Sequence, residues 1–385
     1  HDALESNTGR AFAGLQAFAE KKRDWLFGYL AYDLKNEVEA LHSQNFDGIR
    51  LPDLYFFQPD IVLLIPKAGS DFQLHIFSHT DSPKRIWAEI QNLSIPASLP
   101  ESPAQNLGLR SRLPKAEYLS AVEAVRRHIV EGEVYEMNLC QEFFSEKNSL
   151  EPLPVFERLN ARAQAPFTAY LRKQDHYLLC ASPERFLRKT GDILISQPIK
   201  GTRRRHPDPA EDVRLREELR ASDKDRAENV MIVDLVRNDL ARRCLPGSVQ
   251  VEELFGIYSF QTVHQMISTI SGTLRTGTHP VVALRDAFPM GSMTGAPKVM
   301  AMELIERYER SRRGLYSGAV GYFSPVGDFD FNVVIRSILY NAAEGYLSCQ
   351  VGGAIVYDSV PEQEYQECLV KARAMLEALG ARLTL

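Results

Sequence analysis

Apolar residues at Leu119, Val122, Val125 and Ile129 recur every three or four positions. That spacing predicts a helix over Lys115–Glu131 with one buried face, and Gly132 stands where a helix stop belongs. Helices are also predicted over Ala11–Lys21, Pro209–Ala221, Lys224–Arg243, Pro297–Arg310 and Pro361–Leu379. Between them lie short apolar runs bounded by turn residues, which predict strands. In the first third these are Trp25–Tyr32, Ile61–Ile65 and Phe72–Phe77, with Lys67-Ala68-Gly69-Ser70 as turn material. Further on come Val134–Phe144, Phe167–Arg172, His176–Ala181 and Arg185–Ser196, the last folded back at Thr190-Gly191. Val249–Tyr258, Val263–Leu274, Gly318–Phe323, Phe329–Leu339 and Tyr346–Val356 complete the set. Strands cluster in consecutive runs rather than alternating singly with helices. An α+β fold with antiparallel sheets is therefore expected, not a doubly wound parallel sheet. The Pro/Ser-rich stretch Ser94–Pro103 reads as a linker and divides the chain into an N-terminal α/β region, 1–110, and a larger domain, 111–385.

The 385 residues, 44% apolar, are enough for a sizeable core. A net charge of −5, from 45 basic and 50 acidic residues, argues against a nucleic-acid partner. The five cysteines are widely spaced and form no C-x-x-C pair, which suggests neither zinc nor a disulfide framework and fits a reducing, cytoplasmic setting. No apolar run is long enough to span a membrane, and the first residues do not resemble a signal peptide. The first residue is His rather than Met, so the start of the N-terminal region is expected to be missing.

Two helices carry paired acids: Asp225 with Glu228, and Glu364 with Glu367, each three residues apart and so on one face. If the helices approach, four carboxylates converge and call for a hard cation such as magnesium. The alternative is a pair of solvated faces. Lys200, in Gln197-Pro198-Ile199-Lys200-Gly201-Thr202, is placed in a fixed, non-helical turn. It is either an amine nucleophile in a desolvated site or an ordinary surface lysine. Arg203 to His206 reads as a solvated charge run. Gly291-Ser292-Met293-Thr294-Gly295-Ala296-Pro297-Lys298 leads into a helix, as an anion site or as a plain helix start, but its spacing is not that of a Walker loop. Glu184 sits at a strand junction, where a partly desolvated carboxyl suits general acid work. His264, in an apolar strand, reads as a hydrogen-bonded core residue. Arg336 is expected inside an apolar strand, where it needs a carboxylate from the protein or a ligand. Gly352-Gly353 points to close backbone approach or a bulge.

Together ASPERF, PIKGT, KDRAENVMIVDLVRNDL, GSMTGAPK, FNVVIRS and VGGAIVYDSVPEQEY resemble the chorismate-utilising enzyme family from about Leu113 onward, with GYLAYDL a weaker match before it. The resemblance implies antiparallel sheets forming a sandwich around the active site, with helices outside. It implies magnesium held by Glu228 and Glu367, with Asp225 and Glu364 reaching the metal through water. Arg336 and Lys371, helped by Gly353 backbone, would hold the substrate carboxylates. Gly201, Thr202, Thr294, Tyr322 and His264 would line the site, and Glu184 would be the acid beside the departing hydroxyl. Lysine at position 200 resembles the branch that forms aminodeoxychorismate, where it attacks the ring and ammonia then displaces it. Glu136 stands where water-using members carry a lysine base, which argues against water as nucleophile, and LLES, typical of tryptophan-inhibited relatives, is absent. The implied partners are chorismate, ammonia and a glutamine amidotransferase subunit. The rival expectations are anthranilate formation with loss of pyruvate, and a non-catalytic chorismate-binding subunit.

Overall fold

Alternation along the Glu136–Ser145 strand sets the architecture. Met137, Leu139 and Phe143 pack with helices on one side, while Cys140 and Phe144 face the opposite side. A computed structural model of the chain describes residues 2–66, 73–94 and 107–384. The turn expected at 67–70, the start of the Phe72–Phe77 run, and the linker beyond Ser94 lie outside the described residues.

Two large sheets result. The ten-stranded one runs Ala3–Ser6, Leu54–Phe57, Leu26–Leu30, Ala319–Phe323, Phe329–Asn332, Arg185–Thr190, Ile193–Gln197, Val263–Thr273 and Ile199–Arg204. Its tenth strand, Gln250–Ser259, also pairs with Val263–Thr273. The eight-stranded one runs Arg382–Thr384, Gly108–Ser111, Glu136–Ser145, Tyr346–Ile355, Ser337–Asn341, His176–Ser182 and Phe167–Lys173, with Gly295–Ala296 joined to Glu136–Ser145. Pairing in both sheets is antiparallel, except for Arg382–Thr384 on Gly108–Ser111. Ile61–Leu64 and His75–Ser78 form a separate hairpin.

Three apolar clusters place the layers. One joins the first sheet to the helices Ala11–Lys22, Asp223–Ala241 and Pro280–Ala287. A second joins the other sheet to Lys115–Val130, Pro152–Ala163, Lys298–Tyr308 and Pro361–Leu379. The third lies between the sheets, with Tyr29 and Val320 from one against Phe144, Leu178, Leu339 and Tyr346 from the other. The fold is thus the expected α+β sandwich with helices outside. The N-terminal strands Ala3–Ser6, Leu26–Leu30 and Leu54–Phe57 belong to the same ten-stranded sheet as later ones, and the division expected at 110 falls inside the Gly108–Ser111 strand.

Two local expectations change. The run Phe329–Leu339 is not one strand. It ends in the first sheet at Asn332 and resumes in the second at Ser337, because Val333 and Val334 donate to Glu184 and Gly318 instead of continuing a ladder. Arg336 therefore sits in the crossover, in the left-handed region at φ 53°. The segment around Lys200 is an edge strand, Ile199–Arg204, rather than a turn. An extra residue between Ile199 and Thr202 bulges that strand, with Gly201 at φ +87° supplying the backbone. A bulge re-aims the side chain beside it, here that of Lys200.

A buried ion pair joins the layers around this region. Arg313 donates to Glu309 at 2.6 and 3.0 Å, to the carbonyl of Met293 at 2.6 Å and to that of Asn138 at 2.8 Å. Glu309 in turn accepts from the Cys140 N–H at 2.8 Å. Arg313→Ala leaves Glu309 buried without its counter-charge, and a loss of about 3–5 kcal/mol in denaturant unfolding is expected.

Candidate active site

The bulge turns Lys200 into the interior, where its Nζ lies 2.6 Å from Glu136 Oε1 and 3.9 Å from Glu228 Oε2. Burial alone would lower the lysine pKa; Glu136, Glu228 and Glu184 outweigh that and hold it above the ordinary value. Lys200 is thus a buried ammonium among acids, not a surface residue. The second carboxylate oxygen of Glu136 is buried and has no hydrogen-bond partner among the described residues. Glu184, just before the Arg185–Thr190 strand, is buried and pushed up to about 7 by desolvation, against the pull of a Ser292 hydrogen bond and of Lys200 and Lys371. A carboxyl in that range is protonated near neutrality, as a general acid requires.

The helices Asp223–Ala241 and Pro361–Leu379 bring their acids to the same place. Burial raises Glu228 and Glu364, while Lys371, Lys224 and Lys200 outweigh burial and lower Glu367. Lys371 contacts Glu367 at 2.6 Å and Lys224 lies 3.9 Å from Glu228, so lysines separate the carboxylates. Asp225 is engaged by Arg203 at 3.1 Å. No three of these four acids come within 4.8 Å of one another; among the described residues only His128, Glu131 and Glu133 do, at the surface. The donor set still suits a hard divalent cation: oxygen-only, partly buried and rich in negative charge. Gly353 leaves room for it, since a Cβ there would lie 3.3 Å from Glu364 Oε2 and 3.4 Å from Glu367 Oε1.

Arg336 makes no ion pair among the described residues; its guanidinium donates to the Lys371 carbonyl at 3.5 Å and feels the charge of Glu367. Desolvation lowers its pKa. An arginine held so keeps donors in reach of a carboxylate. Lys371 also donates to the Gly352 carbonyl at 2.7 Å. Thr294 is fully buried, and its carbonyl accepts from Asn138 N–H at 2.8 Å, tying the glycine-rich turn to the Glu136 strand. Gly201 faces Asp225, where a Cβ would lie 2.9 Å from the carboxylate, and Thr202 pairs with Gln265 across the ladder.

Two expected residues point elsewhere. Both ring nitrogens of His264 are taken, by Ser259 at 2.8 Å and Asp212 at 3.0 Å, which docks the helix Pro209–Ala221. Tyr322 packs, with tilted rings, in an aromatic group with Trp25 and Phe27. Two residues that were not nominated do belong, and Glu136, expected at the position of a lysine base in water-using relatives, joins them. Ser292 holds Glu184, Tyr316 adds an electrostatic contact to Arg336, and Glu136 grips Lys200. The alternation of Glu136, Asn138 and Cys140 against Met137 and Leu139 was the available signal for Glu136.

The acids of two helices, the buried lysine and an arginine without an ion pair thus gather in one partly buried place. The chorismate binding enzyme family matches residues 2–377, and the chain belongs to it. It is 38% identical over 360 residues to "Aminodeoxychorismate synthase component 1" of Escherichia coli K12, covering 91% of this chain and 76% of the relative. It is 37% identical over 361 residues to "Anthranilate synthase component 1" of Thermus thermophilus, with the same coverage of 91% and 76%. Among solved structures, anthranilate synthase component I from Streptococcus pneumoniae superposes with a TM-score of 0.81 at 27% identity, covering 91% of this chain and 80% of that one.

Burial of Glu184 also has a pH signature. Its folded pKa is raised from 4.5 to about 7, so the neutral form is favoured in the fold. Stability is unaffected below the unfolded pKa and falls as pH rises through about 7. Glu184→Gln removes that cost, on the order of 3 kcal/mol at most. Thermal melts should show the variant gaining stability over the parent at pH 8.5 and not at pH 4.

Proposed function

We propose that this chain converts chorismate and ammonia to 4-amino-4-deoxychorismate, with Lys200 as nucleophile and Glu184 as general acid. The observation that carries the reading is the burial of Lys200 beside Glu136 and Glu184. Lysine is the residue that distinguishes this chemistry from direct attack by water or ammonia. As an ammonium Lys200 cannot attack, and Glu136 at 2.6 Å is the base in reach of its proton. Arg336 and Lys371 hold the substrate carboxylates. Glu184 protonates the ring hydroxyl, which leaves as water while Lys200 Nζ bonds to the ring. Ammonia then forms the second carbon–nitrogen bond as the bond to Nζ breaks. Two allylic displacements replace one difficult exchange.

Glu228 and Glu367 would hold magnesium directly, with Asp225 and Glu364 through water; the ion supplies positive charge to the acids and to a substrate carboxylate. Ammonia is proposed to come from a glutamine amidotransferase subunit, in keeping with the "component 1" in the relative's name. A cytoplasmic setting is proposed on the five cysteines, all buried and unpaired. Among the described residues no helix is long and apolar enough to cross a membrane.

Incubation with chorismate, ammonium chloride and magnesium should give 4-amino-4-deoxychorismate by liquid chromatography and mass spectrometry, without pyruvate, and EDTA should stop it. Anthranilate fluorescence as the main signal would instead favour the reading suggested by the Thermus thermophilus relative. Intact-protein mass spectrometry should detect a substrate adduct that Lys200→Ala abolishes; an adduct surviving the substitution rules Lys200 out. Glu184→Gln should lower kcat by roughly 10²–10⁴-fold.

A further inference from the structure

One cation of the site is shared by three carboxylates and hydrogen-bonded to none of them. Lys224 lies on the first turn of the Asp223–Ala241 helix, four residues before Glu228, and its Nζ is 3.9 Å from Glu228 Oε1. Its side chain is 62% exposed and makes no hydrogen bond among the described residues. Its charge also acts on Glu364 and Glu367, on the first turns of the other helix. Of the three lysines at the site, Lys224 alone acts on all three glutamates. Lys200 acts on Glu228 and Glu367, and Lys371 on Glu364 and Glu367.

The other two lysines are fixed. Lys200 donates to Glu136 at 2.6 Å from inside the sandwich. Lys371 contacts Glu367 at 2.6 Å and donates to the Gly352 carbonyl at 2.7 Å. Lys224 is held by charge alone, and ordering so long a side chain for one loose ion pair gains little. Its ammonium returns to water at small cost, because the stem is already exposed. The acids it serves are those that would hold magnesium, Glu228 and Glu367 directly and Glu364 through water. A small dication that takes oxygen ligands competes for the same carboxylates with twice the charge.

Building on the metal site of the function proposed above, we infer that Lys224 is the stand-in cation of the metal-free site: it neutralises Glu228, Glu364 and Glu367 until a divalent ion displaces it to solvent. It is a positioning residue, and its effect on the reaction runs through the metal. Displacement gives two effects of opposite sign. In the metal-free chain, loss of the ammonium leaves like charges facing one another and lowers stability. With magnesium present, the same loss removes a competitor and a like charge beside the ion, so binding tightens. An ordinary surface lysine would alter neither. A lysine that grips the substrate would alter the KM for chorismate and not the affinity for metal.

The test is calorimetric titration of the substrate-free chain with magnesium chloride, and with manganese chloride as a second probe. Lys224→Met keeps the apolar stem and removes the charge, and it should bind either ion roughly tenfold more tightly than the parent. Lys224→Arg keeps the charge and should stay within about twofold of the parent. Lys115→Met controls for net charge: it removes an exposed lysine 2.8 Å from Glu362, two residues before Glu364, and should leave metal affinity within about twofold. Thermal melts in EDTA should place Lys224→Met below the parent, and adding magnesium should raise its Tm by more. Unchanged or weaker metal affinity in a Lys224→Met chain that melts cooperatively overturns the assignment and leaves the metal reading standing. A parent chain that binds neither ion, with or without chorismate, sinks the metal reading and this assignment with it.

Discussion

The arrangement of this site depends on one buried charge. Arg313, with its side chain 1% exposed, has its cost of burial offset by Glu309, two backbone carbonyls and the ring of Tyr32 at 4.6 Å. Those partners come from places distant in sequence: the N-terminal region, the glycine-rich turn, the Glu136–Ser145 strand and the end of the Lys298–Tyr308 helix. A guanidinium satisfies several directions at once because its donors form a rigid fork. Through that fork the strand bearing Glu136 and the turn bearing Ser292 are held in one relative position. Glu136 then meets Lys200, and Ser292 meets Glu184.

Within that frame the site is a balance of like and unlike charge. Glu136, Glu228, Glu364 and Glu367 are interleaved with Lys200, Lys224 and Lys371. Separating the acids in this way keeps ionised groups in a partly dry space at tolerable cost. It also means that a divalent cation and a substrate bearing carboxylates would rearrange partners rather than create charge. Glu184 stands apart from this exchange, because burial rather than a neighbouring charge dominates its protonation.

Much of the fold was legible because the signals were local. The helices Pro209–Ala221 and Pro361–Leu379 match their expected limits, and a run of strands without intervening helices correctly indicated antiparallel sheets. Other features depended on distant partners. The break between Asn332 and Ser337 is invisible in a continuous apolar run, since it arises where Val333 and Val334 find acceptors in Glu184 and Gly318, at the ends of the neighbouring strands. The helices Pro152–Ala163 and Pro280–Ala287 were not anticipated; each is short and starts at a proline that also reads as a turn. The acids of the two helices were legible as pairs three apart. His264 was ambiguous by nature: an apolar strand gives the same pattern whether its histidine faces a ligand or, as here, an aspartate on a covering helix.

Arg336 leaves a narrower lesson about tolerance to change. Its backbone carries the chain from one sheet to the other in a left-handed conformation that costs a non-glycine residue about 1–2 kcal/mol. Its side chain is at the same time the unpaired guanidinium of the site. Glycine would relieve the backbone and forfeit the charge; lysine would keep the charge and forfeit the two-pronged grip. The two demands intersect in a single amino acid. Drift at this seam is therefore closed in both directions for as long as position 336 must present a guanidinium.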